Sequence, residues 1–231
     1  MGMSNAAVFI KLENSNDFHV EEVVKELFGD HQEIKTSWGN GFDFRSVENI
    51  IYSVHNNGIR IMNSEFVNQI LINRSQETIS KVYKLFKSPK LIMAYMHYDS
   101  GDSFGFGCIE EGYFKRFRYS LSTDWVTHDF GHPYDEELSI LNGQIYYEED
   151  EYGDREYLYK RLDDPENPRS YHFINSEIAN EVMKSKIGFG FYDENVETES
   201  YYITLKPSEK QIQESPNRTK SKGFFGKLFG N

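Results

Sequence analysis

The pattern of apolar, aromatic and turn-forming residues at positions 91–119 predicts two or three neighbouring β-strands, around which the rest of the chain is expected to pack. Residues 91–98 are rich in apolar and aromatic side chains, which is typical of a buried strand. Within residues 104–108, larger side chains alternate with glycines at the period of two that a strand requires. After a turn at residues 110–112, residues 114–119 return the chain, so antiparallel pairing is expected.

Apolar residues at helical spacing predict a small number of helices. The first covers residues 19–28, with Asp17 as its N-cap and Gly29 as its end. The pattern at residues 65–73 fits a helix and a strand equally well. Further helices are predicted after Ser75 as N-cap and before Pro89, over residues 134–141, and over residues 177–186 with Ser176 as N-cap and Gly188 as the end.

Turn-forming residues separate the remaining short strands and favour an antiparallel sheet. The Asn57-Gly58 pair between residues 50–54 and 59–62 is a strong hairpin signal, and residues 145–147 and 157–159 predict a second hairpin. Further strands are predicted at residues 7–12, at Phe189 and Phe191, and at residues 201–205, with turns at 38–42 and 99–102 and loops at 127–133 and 163–169. The pattern predicts an α+β fold, in which a mainly antiparallel, aromatic-rich sheet carries three or four helices on one side.

The composition supports a sheet-rich globular protein with an acidic surface. Of the 231 residues, 38% are hydrophobic, and 16 Tyr and 18 Phe suit half-buried strands. The formal net charge of −12 argues against a nucleic-acid binder, because phosphate binding needs clustered Lys and Arg. An acidic surface favours basic partners, or only keeps the protein in solution.

A single cysteine, Cys108, excludes an internal disulfide bond, and its place in an apparent buried strand indicates a core residue. The sequence shows no membrane span and no basic segment followed by an apolar one at its start. These features together predict a cytoplasmic protein.

The composition changes after residue 207, which divides the chain into a globular α+β domain (1–207) and a polar linker with a basic aromatic tail (208–231). Residues 208–231 contain five basic and two acidic residues, a net charge of +3. Because the whole chain carries −12, residues 1–207 carry a net charge of −15. Phe224, Phe225, Leu228 and Phe229 would share one face of a short helix, beside lysines. This pattern suits weak insertion at an anionic membrane surface or docking into a groove, and a flexible or self-docking terminus is the alternative.

The tip of the second predicted hairpin is strongly acidic and rich in tyrosine. Carboxylates at such a tip would steer a basic protein towards it, and tyrosines would supply rigid contact area. A solvated hairpin end is the alternative interpretation. The predicted partner-binding residues are Tyr147, Glu148, Glu149, Asp150, Glu151, Tyr152, Asp154 and Glu156.

Two weaker patterns suggest chemistry. Residues 101–105 match G-x-S-x-G, which in hydrolases places a serine on a turn between a strand and a helix; the natural partners of Ser103 would be Asp129 with His132 or His172. The residues after Ser103 look like a strand, which favours a simple turn. His128 and His132 have the H-x3-H spacing of a zinc site, but Gly131 and Pro133 argue against the helix that would align them, so no metal or other cofactor is expected.

In size, in acidity and in the lack of a convincing catalytic set, the chain resembles small acidic bacterial immunity proteins, which protect a cell by binding a toxin. The resemblance implies a non-enzymatic protein that neutralises a basic partner protein, such as a toxin, through its acidic, tyrosine-rich surface. Two alternatives stay open, a serine hydrolase that uses Ser103 and a peripheral membrane protein recruited by its tail.

Overall fold

The computed structural model describes residues 4–13, 19–29, 31–35, 48–98, 103–121, 125–191, 193 and 200–205. Within these residues, nine strands form one antiparallel sheet in the order β2-β12-β3-β4-β1-β5-β6-β7-β8, and three form a small sheet in the order β11-β10-β9. The strands are β1 Ser4–Lys11, β2 His31–Lys35, β3 Asn49–His55, β4 Gly58–Met62, β5 Leu91–Tyr98, β6 Ser103–Glu110, β7 Tyr113–Leu121, β8 Trp125–Phe130, β9 Gln144–Glu149, β10 Arg155–Lys160, β11 Arg169–Ser170 and β12 Ser200–Leu205.

Five α-helices accompany the sheets in the described part of the chain. The helices are α1 Val20–Phe28, α2 Ser64–Val67 with a π-helical turn at Asn68–Ile72, α3 Gln76–Leu85, α4 Asp135–Leu141, and α5 Ile174–Ile187 after a 3-10 turn at Tyr171–Phe173. The α+β class with a mainly antiparallel sheet is therefore confirmed.

The large sheet is covered on both faces, whereas helices were expected on one side. On β1, Ala6, Val8 and Ile10 point into a core formed with α1, α2 and α3. The alternate residues Ala7 and Phe9 point into a second core formed with α4, α5 and β10. The reason lies in the central strands, because a continuous apolar run such as residues 91–98 must be shielded on both faces.

Local sequence signals explain several element boundaries. The hydroxyl of Ser75 accepts a hydrogen bond from the amide of Thr78 at 3.2 Å and caps α3 as predicted. Gly29 and Gly188 follow α1 and α5 with φ of +86° and +92°, which glycine adopts without strain. In the β3–β4 hairpin, Gly58 sits where a Cβ atom would meet the backbone carbonyl of Ile10. The strands from this hairpin and the central strands at 91–119 were also predicted correctly.

Other predicted boundaries were wrong. Residues 127–130, expected in a loop, belong to β8, which pairs with β7. Ser176 is not an N-cap but lies buried inside α5, which begins at Ile174. Phe189 and Phe191 do not form a strand and instead pack into the second core just after α5.

Several expectations fall outside the described residues. They are the cap Asp17, the turns at residues 38–42 and 99–102, the linker and tail at 208–231, and hence the tail residues Phe224, Phe225, Leu228 and Phe229. Among the described residues, no helix has both the length and the apolar character needed to cross a membrane.

Candidate protein-binding surface

The small sheet contains the second predicted hairpin, which β9, its turn and β10 form over residues 144–160. We call these residues the acidic hairpin. Its base is fixed, because Tyr159 is completely buried in the second core and Leu158 and Tyr159 pair with β11. Residues 147–157, in contrast, are exposed along both strands and around the turn. The acidic hairpin therefore projects from an anchored base, with both of its faces open towards the tip.

Asp150 organises the turn of the acidic hairpin. Its Oδ1 accepts hydrogen bonds from the amides of Tyr152 at 2.8 Å and Asp154 at 2.9 Å. Its amide donates to the carbonyl of Asp154 at 2.9 Å, and its carbonyl accepts from Gly153, which has φ of +84°. These bonds form a type I turn closed by a glycine bulge. Asp150 thus shapes the turn, although it remains one of the exposed carboxylates.

Like charges face each other across the two strands. Glu148 and Glu156 are directly opposed in the register of β9 and β10, and both are exposed. The neighbouring cross-strand pair is complementary, since Glu149 and Arg155 form an ion pair at 3.3 Å. The acidic hairpin contains six acidic residues, and the carboxylates of Glu149 and Asp150 have partners. In the described part of the chain, no hydrogen bond or ion pair involves the carboxylates of the remaining four, Glu148, Glu151, Asp154 and Glu156. The opposed glutamates therefore leave negative charge uncompensated.

Aromatic side chains are also exposed on the acidic hairpin, and those of Tyr147 and Tyr157 lie on the opposite face from Glu148 and Glu156. Tyr147 and Tyr157 are cross-strand partners with ring centroids 6.1 Å apart, and each is about half exposed, at 50% and 53%. Tyr152 at the turn is 82% exposed. The guanidinium of Arg155 lies 4.6 Å from the ring centre of Tyr147 and orients it. The predicted partner-binding residues are thus brought together on one projecting element.

The residues of the hydrolase alternative are arranged differently from a nucleophile elbow. Ser103 is buried at the start of β6, which continues as a strand to Glu110, so no helix follows the serine. The carboxylate of Asp129 binds the guanidinium groups of Arg116 and Arg118. His132 is exposed in the loop after β8. The side chain of His172 lies outside the described residues.

The H-x3-H pair is split between two kinds of structure. His128 belongs to β8, whereas His132 lies in the following loop, and both are exposed. Among the residues that the structure describes, no group of three or more His, Cys, Asp or Glu side chains could hold a metal ion.

A buried ionic cluster was not foreseen from the sequence. Arg116, with no solvent exposure, donates to the equally buried Glu137 at 2.7 and 2.8 Å and also binds Asp129. Arg118 binds Asp129 and reaches Asn175 of α5 at 3.0 Å. The cluster connects β7 with β8, α4 and α5. A signal was present, because Arg116 and Arg118 alternate with Phe117 and Tyr119 at the period of a strand, which places two arginines on one face.

The charged residues of the buried cluster and those of the acidic hairpin differ in their access to a partner. Arg116 and Glu137 satisfy one another inside the fold, and such groups are unavailable to a partner. Glu148 and Glu156 are exposed and lie directly opposite each other.

Comparison of the chain with protein-family models, with curated proteins and with solved structures found no match.

Proposed function

We propose that this chain is a non-enzymatic binding protein that holds and neutralises a basic partner protein on its acidic hairpin, in the manner of a bacterial immunity protein and its toxin. The observation that carries the proposal is the exposed, directly opposed pair of Glu148 and Glu156. The single cysteine, buried and not in a disulfide bond, supports a cytoplasmic place of action.

Electrostatic repulsion between Glu148 and Glu156 favours the binding of a cation between them. Like charges placed directly across two strands destabilise a sheet by roughly 0.2–1 kcal/mol. A lysine or arginine of a partner inserted between Glu148 and Glu156 would turn this repulsion into two attractions. The remaining negative charge around the turn would steer the partner and raise its association rate.

Tyrosines supply the contact area that carboxylates lack. Tyr152 is exposed at the turn, and Tyr147 and Tyr157 are exposed on the face opposite to Glu148 and Glu156. Aromatic residues are enriched at the centres of protein interfaces. The Tyr147 and Tyr157 rings contact each other across the strands, so they lose little side-chain freedom when a partner binds. Neutralisation would then be steric, with the bound hairpin covering the active surface of the partner.

The experiment uses the full chain to capture its partner from a lysate of the cells that encode it, followed by titration of the purified partner at low and moderate salt. The test variant is Glu148→Lys/Glu156→Lys. The matched control is Glu21→Lys/Glu22→Lys, which makes the same change in net charge at exposed positions of α1. The proposal expects the hairpin variant to weaken binding at least about tenfold more than the control and to flatten the salt dependence.

The opposite result is equally clear. If the hairpin variant keeps both the affinity and the salt dependence of the original chain, the acidic hairpin is not the binding surface. If both variants weaken binding equally, the attraction comes from overall charge and the specific site is wrong.

A further inference from the structure

We propose, on the basis of the proposed function, that the free edge of β9 accepts an extended basic segment of the partner as an additional strand. In the small sheet, β9 occupies an edge and β10 is its only neighbouring strand among the described residues. An edge strand presents a row of backbone donors and acceptors that another chain can pair with.

The turn fixes which backbone groups point to that edge. The amide of Asp150 donates to the carbonyl of Asp154, so these two residues are bonded across the strands. Because bonded and non-bonded pairs alternate in an antiparallel ladder, the pair of Glu148 and Glu156 is again bonded inward. The N–H and C=O groups of Ile145, Tyr147 and Glu149 consequently face away from β10.

The edge lacks several usual protections against pairing. The sequence of β9 contains neither lysine nor proline, and its pairing with β10 runs over six residues without a register shift. The charges that β9 does carry, Glu148 and Glu149, are both negative. Carboxylates at an edge oppose pairing with a second copy of this acidic chain but favour a strand that carries lysine or arginine.

The two faces of β9 specify the pattern of the incoming segment. One face presents Ile145 and Tyr147, which are each at least half exposed, followed by Glu149 with its partner Arg155. The other presents Tyr146 and then Glu148, with Glu156 beside Glu148 on β10. Since side chains of an added strand alternate between these faces, the segment that fits has basic residues alternating with apolar or aromatic ones.

The first test measures binding of short end-blocked peptides to the full chain. The probe alternates lysine and valine. Its matched controls are a peptide of the same composition with paired lysines and paired valines, and an alternating peptide with N-methyl groups on one edge. Loss of even one or two backbone hydrogen bonds should weaken binding by roughly threefold to tenfold or more. If the alternating peptide binds no better than either control, the added strand is ruled out.

The second test compares Tyr147→Pro with Tyr147→Ala in the full chain, using the captured partner. Both variants remove the ring, but only proline removes the outward N–H, and an edge position of this kind tolerates proline. We expect Tyr147→Pro to bind roughly threefold to tenfold more weakly than Tyr147→Ala, with equal melting temperatures. Equal affinities would overturn the added strand, and the N-methyl peptide decides the question if the proline variant melts early.

The tests separate this inference from the proposed function. If the peptide and proline tests show no added strand, but Glu148→Lys/Glu156→Lys still weakens binding, the acidic hairpin remains the binding site. Recognition of the partner then depends on side chains alone. Failure of both removes the site itself. A dimer in sedimentation that disappears in Tyr147→Pro, but persists in Tyr147→Ala, would assign the edge to a second copy and contradict the inference.

Discussion

The guanidinium of Arg116 and the carboxylate of Glu137 form an ion pair that is completely shielded from solvent and joins β7 to α4. The variant Arg116→Met would leave Glu137 buried without its partner. Removing one member of a buried pair typically costs about 3–5 kcal/mol, so we expect the free energy of unfolding to fall by that amount. Urea denaturation followed by circular dichroism measures the change.

A surface ion pair provides the control for this prediction. Lys115 contacts Glu111 at 3.0 Å, and both side chains are exposed. The variant Lys115→Met should change the free energy of unfolding far less than Arg116→Met does, because exposed ion pairs contribute little. The double variant Arg116→Met/Glu137→Leu should recover much of the loss, because no unpaired charge remains inside. A single Arg116→Met variant as stable as the original chain would show that the cluster is dispensable.

Glu148→Gln should stabilise the acidic hairpin while it weakens binding of a basic partner. The substitution removes the repulsion with Glu156 and should be worth roughly 0.2–1 kcal/mol to the hairpin. Hydrogen exchange of the β10 amides reports this local stability. Glu149→Gln is the matched control, since it loses an attraction to Arg155 instead and should not slow exchange. Faster exchange in Glu148→Gln would contradict the repulsion.

His55 should make stability depend on pH. Burial, and then the positive charge of Arg60, lower the pKa of His55 from 6.5 to about 4. Between these values the unfolded chain binds the proton more readily, so the contribution to stability is complete above pH 6.5 and is lost as the pH falls towards 4. From neutral pH to about pH 5 the loss should be about 2 kcal/mol.

Denaturation of the original chain and of His55→Gln at both pH values tests this prediction. Glutamine cannot titrate but can still contact the hydroxyl of Ser53, which lies 3.1 Å from the His55 ring nitrogen. The difference in stability between the two proteins should shrink on acidification. A difference that stays constant with pH would mean that His55 binds its proton equally well in both states.

Cys108 should be unreactive until the protein unfolds. Its side chain is fully buried in β6, and burial raises the pKa of the thiol to about 12, so little thiolate forms at neutral pH. As the chain has one cysteine, labelling by a water-soluble thiol reagent has a single source. We expect negligible labelling of the native protein and complete labelling in denaturant. Rapid labelling without denaturant would show that the second core opens easily.

The strands and helices that the sequence predicted well are those in which pattern and turn chemistry agree. The Asn57-Gly58 signal located the β3–β4 hairpin, and Ser75 located the start of α3. The acidic hairpin was found for the same reason, since its strands and its turn residues point to one structure. Local signals of this kind act over a few residues and need no knowledge of the rest of the fold.

Features that depend on distant contacts were missed. Residues 127–130 were predicted to lie in a loop, but they pair with β7 as part of β8, and Arg116 donates a hydrogen bond to Asp129 there. Ser176 looks like a cap, yet it lies inside α5 and within 3.3 Å of His97 of β5. Propensity is overridden at such positions by tertiary packing.

The anchoring of the acidic hairpin at Tyr159 and its exposure beyond that residue have a consequence for motion. Beyond its base, a two-stranded ribbon exposed on both sides is only marginally stable by itself. The tip can therefore fray and reclose many times while the strands β1 and β5, enclosed on either side, stay closed. A partner that binds the tip would suppress this fraying and leave the local stability of the rest of the molecule unchanged.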